Sequence, residues 1–182
     1  MRKDVKNVIV ADILSVNMRI YTRTGDQGLT SIFGGKKVSK ADDPIFAYGA
    51  IDELSSFLGL LINKIKSKKD KQFFIEIQKD LYQIMAYLSG AKISLDFCQK
   101  KVLEFEKKID NLTTKLPILK KFILPGGTEL SCWFHILRTV CRRAERLVVK
   151  TKRKLIIPYF NRLSDLFFTY ARFYNKEKEI IL

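Results

Sequence analysis

From Phe46 onward, apolar residues recur three and four positions apart over most of the chain, the spacing of helices with one buried face. The pattern predicts five helices. The first opens at Asp43-Pro44, with the proline preset near N1, and runs through FAYGAIDELSSFLGLLINKIK. The second extends from about Asp70 to Ser89, where Gly90 is a natural C′ residue. The third covers Leu95 to Thr114 and stops ahead of Pro117. The fourth follows the Gly126-Gly127 turn, with Thr128 as N-cap, and continues to about Lys152. The fifth starts near Pro158 and ends around Tyr174. Extended backbone is expected only at Ile20 to Thr22. Long helices with short connections favour an all-α bundle, with residues 18–41 as a glycine-rich arm at one end.

Composition supports this reading. The chain has 182 residues, 47% hydrophobic and 12% aromatic, enough for a globular core in one domain over residues 18–182. No apolar run approaches the length expected of a membrane span. Residues 1–17 form an extension of uncertain role: Asp4 and Asp12 argue against a targeting segment, and Met18 offers an alternative start. The expected location is cytoplasmic, with no membrane partner. Cys98, Cys132 and Cys141 make an odd count without a CxxC pair, so reduced thiols are expected rather than disulfides or zinc ligands.

The net charge of +15 invites a nucleic-acid reading. Yet the lysines are scattered through KIKSKKDK, QKK, EKK, LKK and KTKRK, interrupted by acids and unaccompanied by any RNA- or DNA-binding motif. An anionic small ligand accounts for the charge with fewer assumptions, and no nucleic-acid partner is expected.

Two segments carry candidate chemistry. On a helix turning about 100° per residue, Ile136, Leu137, Val140, Ala144, Leu147 and Val148 share one side. His135, Arg138, Arg142 and Glu145 share the other. Such a stripe is often only a solvated face. This one is rich in arginine where the chain otherwise favours lysine, and arginine suits bidentate phosphate binding. His135, the single histidine, reads as a packed or hydrogen-bonded side chain, since no second histidine completes a metal site. The arm, TRTGDQGLTSIFGG, offers hydroxyls, backbone amides and a cation with little bulk, as an anion nest requires. It is not a Walker A loop, because the GxxxxGK[ST] spacing is absent. Asp42 and Asp43 can serve simply as a cap for the first helix.

Taken together, the strings IYTRTGDQGLTSIFGGKKVSKADDP, AYGAIDELSSFLGL, FILPGG, HILRTVCRRAERLVV and YFNRLSDLFFTYAR closely resemble the PduO-type ATP:cob(I)alamin adenosyltransferases. They occur in that family's order over residues 19–174. The resemblance implies a five-helix bundle of ferritin-like topology, assembled as a homotrimer with active sites between subunits. It places ATP on Thr22, Arg23, Thr24, Gly25, Asp26, Gly28, Thr30, Ser31 and Lys40 of the arm. It adds Arg142, Arg143, Ala144, Glu145 and Arg146 of the fourth helix and Asn161 of the fifth. Asp52 looks like the carboxylate that pairs with Arg138 across the subunit interface, and Phe122 like the aromatic that closes the lower face of the corrin. Arg23 stands where many members have lysine, Leu137 where alanine is usual, and Phe160 where leucine is usual.

The activity so implied is attack of Co(I) on the 5′ carbon of ATP, giving adenosylcobalamin and triphosphate, with Mg²⁺ on the phosphates. A reductase and a downstream adenosylcobalamin-dependent enzyme are the implied partners. Two other readings stay open on the sequence: a non-catalytic cobalamin carrier, and a basic helical nucleic-acid binder whose retention on DNA would depend on salt and ignore ATP.

Overall fold

The computed structural model describes residues 20–175; the extension over residues 1–17 and the Met18 start lie outside them. Among the described residues five helices make the body: α1 (Asp43–Lys64), α2 (Lys68–Leu88), α3 (Phe97–Thr113), α4 (Glu129–Lys150) and α5 (Ile157–Phe173). A short 3-10 turn, Lys154–Ile156, leads into α5. The all-α bundle agrees with the pattern of apolar positions. The arm departs from it, because Leu29–Ser31 (β1) and Lys37–Ser39 (β2) pair antiparallel, Thr30 opposite Val38. Three-residue strands are too short for alternation to show in a sequence, and the turn between them depends on Gly34 and Gly35, both at positive φ.

Local chemistry sets the helix boundaries. Pro44 occupies the first turn of α1, where its missing N–H leaves no helix bond unmade. Asp42 precedes it with extended backbone and makes no side-chain cap bond. Ser67 caps α2 by accepting the Asp70 N–H at 3.2 Å. Gly90, at φ +100°, takes the chain out of α2 in the left-handed conformation expected of a C′ glycine. Thr128 caps α4 by accepting the Ser131 N–H at 3.2 Å.

In the bundle, α1 packs on α2 and α4, α4 packs on α5, and α5 packs on α3. Ala47, Ile51, Leu54, Leu58 and Leu61 of α1 are wholly buried. By length and hydropathy α1 is apolar enough to cross a membrane, contrary to the expectation that no segment would be. Its buried face is instead part of the bundle core. Aromatic rings fill the centre: Phe134 of α4 stacks on Tyr170 of α5 with centroids 5.1 Å apart, and Phe74 of α2 meets Tyr170 at 5.0 Å. Leu137 and Phe160, two of the three positions at which the resemblance marks a departure from the usual residue, are both fully buried in this core.

Candidate functional site

One member of the α4 stripe, His135, is not where the helical wheel puts it. His135 is 5% exposed and its ring meets Phe168 of α5, so it belongs to the core rather than to the polar face. Ile136, placed on the buried side by the wheel, is 39% exposed. The cause is the double packing of α4: contact with both α1 and α5 buries a wide arc, which includes His135.

Arg138, Arg142 and Glu145 remain together at the edge of that arc. Arg138 is half-buried, and its Nε is shielded from solvent without a hydrogen-bond partner. Burial, and then the positive charge of Arg142, lower the Arg138 pKa. No carboxylate among the described residues makes an ion pair with either guanidinium. A cationic spot left uncompensated at a partly buried position is suited to an anion.

Glu145 is held from α5, where Asn161 Nδ2 donates to its Oε1 at 3.1 Å. Arg146 donates to the Arg142 carbonyl at 3.1 Å and is exposed. Arg143 turns toward α1 and forms an ion pair with Glu53. Ala144 is completely buried, so its methyl group faces the core and only its backbone can border a ligand.

The arm is largely exposed and ordered by its own bonds. Arg23 has a φ of +59°, a conformation rare outside glycine, and its guanidinium lies 5.6 Å from the Tyr21 ring centroid. The Thr22 and Thr24 hydroxyls are 2.9 Å apart. Gly28, at φ +80°, accepts the Lys40 N–H on its carbonyl at 2.8 Å. The Lys40 side chain crosses Gly25 so closely that a Cβ there would lie 3.1 Å from Nζ. Asp26, Thr30 and Ser31 complete the loop and β1. One backbone bond, Phe33 N–H to the Ser89 carbonyl at 3.0 Å, fastens the hairpin to the end of α2.

Within one chain the arm and the stripe are not joined: among the described residues no hydrogen bond or ion pair connects them. Asp52, exposed on α1, likewise makes no ion pair with Arg138 in its own chain. Phe122, in the connection between α3 and α4, is 84% exposed and so is not a core aromatic. Sequence reasoning missed Glu53, the partner of Arg143, and Asn175, whose side chain lies against Gly127. The second glycine of LPGG signals a crowded backbone but does not say which residue crowds it.

Two of the three thiols are buried. Burial pushes Cys98 up to about 12 and raises Cys141 well above its ordinary value. Cys132 is half-buried.

Comparison with known proteins bears directly on this arrangement. The cobalamin adenosyltransferase family model matches residues 20–174. The corrinoid adenosyltransferase of Bacillus subtilis is 37% identical over 174 residues, covering 90% of each chain. The human corrinoid adenosyltransferase MMAB is 38% identical over 171 residues, 85% of this chain and 68% of that one. A phenylalanine-to-alanine variant of the PduO-type ATP:corrinoid adenosyltransferase of Lactobacillus reuteri, complexed with cobalamin and ATP, superposes with a TM-score of 0.81 at 37% identity. That match covers 90% of this chain and 98% of that chain. Fold, motif order and extent of similarity agree, and the chain belongs to the cobalamin adenosyltransferase family.

Proposed function

We propose that the arm, the α4 stripe and the exposed α3–α4 connection form the site at which this adenosyltransferase moves the 5′-deoxyadenosyl group of ATP onto the cobalt of reduced cobalamin. The observation that carries this is the Arg138–Arg142 pair, whose like charges sit together without a carboxylate among the described residues to neutralise them.

In the transfer, the Co(I) electron pair forms the bond to C5′ while the C5′–O bond breaks and its electrons leave with triphosphate. The nucleophile is strong enough to need no general base, in keeping with a site that has no nucleophile–histidine pair. The difficult charge is on the leaving group. Arg142 and the backbone amides around Gly25 and Gly28 meet it, with Thr22, Arg23, Thr24, Asp26, Thr30, Ser31 and Lys40 shaping the pocket. Arg143, Arg146 and the Ala144 backbone border the same phosphates, and Asn161 orients Glu145. Oxygen donors suit Mg²⁺, which binds through one carboxylate and substrate phosphates while keeping several waters. Glu145 fits as that carboxylate, and the ion would neutralise charge on the departing triphosphate.

Because arm and stripe do not meet within one chain, the site needs a second copy. We read the assembly as a homotrimer in which Asp52 of one subunit pairs with Arg138 of the next, satisfying the buried Nε. Phe122, bulky and without a donor atom, is the residue to which we assign the cover of the lower face of the corrin; its exposure supports this. Excluding the axial base removes a ligand that stabilises Co(II), which eases reduction to Co(I). An external reductase and an enzyme that uses adenosylcobalamin are the partners this chemistry requires.

The test is direct. Purified protein with chemically reduced cobalamin, Mg²⁺ and ATP should give the visible spectrum of a cobalt–carbon product, with one triphosphate released per product. An unchanged cobalamin spectrum with ATP intact would overturn the reading.

A further inference from the structure

The connection between α3 and α4, residues 114–128, is fastened at both ends by the last turn of α5 and the two residues that follow it. Near its start, the Arg172 guanidinium donates to the Pro117 carbonyl at 2.9 Å. At its end, Asn175 Oδ1 accepts the Thr128 N–H at 3.1 Å, and the Thr128 hydroxyl donates to the Tyr174 carbonyl at 2.9 Å. Arg172 and Asn175 are both buried. Between the two fastenings the connection presents apolar groups outward: Ile118 and Phe122 are each 84% exposed, with Leu119 and Leu124 also exposed.

The fit at the second fastening is tight. Gly127 has a φ of +93°, and a Cβ built there would lie 1.8 Å from Asn175 Oδ1. The glycine is therefore required twice, by its backbone conformation and by the amide packed against it. Burying an arginine and an asparagine is unfavourable unless their polar atoms find partners. Here those partners include backbone groups of a segment that offers several apolar side chains to solvent.

We propose that Arg172 and Asn175 are positioning residues for the cobalt face of the site: they hold the connection so that Phe122 stands where it covers the corrin. Left to itself, a chain of this length with several exposed apolar residues would collapse onto the bundle, and Phe122 would be withdrawn. The clamp acts on the reduction of the substrate and leaves the ATP pocket alone. This inference rests on the proposed role of Phe122.

The experiment compares full-length Asn175→Ala, Asn175→Asp, Arg172→Gln and Phe122→Ala with the unaltered protein. Three readouts separate the possibilities. One is the rate of adenosylcobalamin formation from cob(I)alamin made chemically against the rate from cob(II)alamin with a one-electron reductant. The second is the KM for ATP. The third is the visible spectrum of bound cob(II)alamin, which reports whether the axial base is displaced. A misplacement on the scale of an ångström is worth up to about a hundredfold in rate. Asn175→Ala should accordingly lose on the order of tenfold or more from cob(II)alamin. It should lose far less from cob(I)alamin, keep its KM for ATP, and shift the bound spectrum toward that of free cob(II)alamin. Asn175→Asp keeps the acceptor oxygen and should recover most of the loss. Arg172→Gln should show the same selective loss, which keeps the proposal testable if Asn175→Ala does not fold.

Equal losses in both rate assays with an unshifted spectrum would overturn the clamp. So would a selective loss in Phe122→Ala that neither Arg172→Gln nor Asn175→Ala shares, and in that case the Phe122 role survives. If Phe122→Ala itself lacks the selective loss, its role falls and the clamp's consequence falls with it.

Discussion

Two polar clusters in this bundle have opposite characters. One lies where α2, α3 and α5 meet. There the Asp70 carboxylate takes hydrogen bonds from Tyr170 at 2.8 Å and Lys108 at 3.1 Å, and Asp80 takes one from Tyr159 at 3.2 Å. Burial alone would raise the Asp70 pKa, but the bonds from Tyr170 and Lys108 outweigh it and hold the carboxyl below its usual range. The other cluster is the α4 stripe. It has a buried nitrogen without a partner, two arginines without an intrachain carboxylate, and a glutamate oriented by Asn161. A polar group whose partners are supplied by its own chain serves the fold. One left wanting, at the edge of the core, serves a ligand or a second subunit.

The sharpest test of this contrast is Arg142→Ala. It should lose about 2–4 kcal/mol of transition-state stabilisation, the range for a preorganised charged donor. Thermal unfolding should stay near that of the parent protein, since Arg142 is an exposed residue outside the core. Near-normal steady-state kinetics would remove it from the site.

Asp70→Ala should do the reverse. It strands Lys108 and Tyr170 and should lower stability by about 1–3 kcal/mol in urea unfolding, the penalty of an unmet buried partner. The kinetic constants of the folded fraction should be unchanged. The acid limb follows from the sign of the shift. A carboxyl held below its unfolded pKa contributes stability above that unfolded value, and the contribution fades as pH falls through the folded one. Asp70→Asn should therefore flatten the acid limb, and an unaltered limb would count against the network.

Exchanging charges across the proposed interface tests the open cluster from another side. Asp52→Arg and Arg138→Asp alone should each weaken trimer formation and activity. Combined, they should recover part of both, a coupling of about 0.5–3 kcal/mol in a double-mutant cycle. Strictly additive losses in sedimentation and rate would argue against pairing.

The smallest effect belongs to Asp80. Burial pushes its pKa up to about 6, against the attraction of Lys101 and the Tyr159 hydrogen bond. With the folded value above the unfolded one, the folded state binds more protons between about pH 4 and 6, so Asp80 makes stability decline as pH rises through that window. Asp80→Asn should abolish this decline and leave the protein slightly more stable above pH 6. Parallel pH–stability profiles for the two proteins would contradict the assignment.

Much of this was legible in the sequence because helices announce themselves through spacing. Pro44, Ser89-Gly90, Thr128 and Pro158 lie at or next to the boundaries they signalled, since capping and helix-stopping are decided within a few residues. The hairpin was not legible, because strands as short as LTS and KVS carry no period. His135 was misplaced because a helical wheel gives directions but not the width of the buried arc, which α1 and α5 fix together. The candidate site divides in the same way. Arg138, Arg142 and Glu145 could be grouped from their spacing along one helix. The diversion of Arg143 to Glu53 and the grip of Asn175 on Gly127 join residues 90 and 48 positions apart, which no local pattern encodes.

The tip of the arm has a use of its own. Gly34 and Gly35 bend the chain in open space, with nothing within 4 Å of where a side chain would begin, while the Phe33–Ser89 bond anchors the strand behind them. Foreign sequence spliced between those two glycines should remodel the turn and leave the helical bundle undisturbed. An environment-sensitive dye carried there would turn nucleotide arrival into an optical signal, readable as an emission change during an ATP titration.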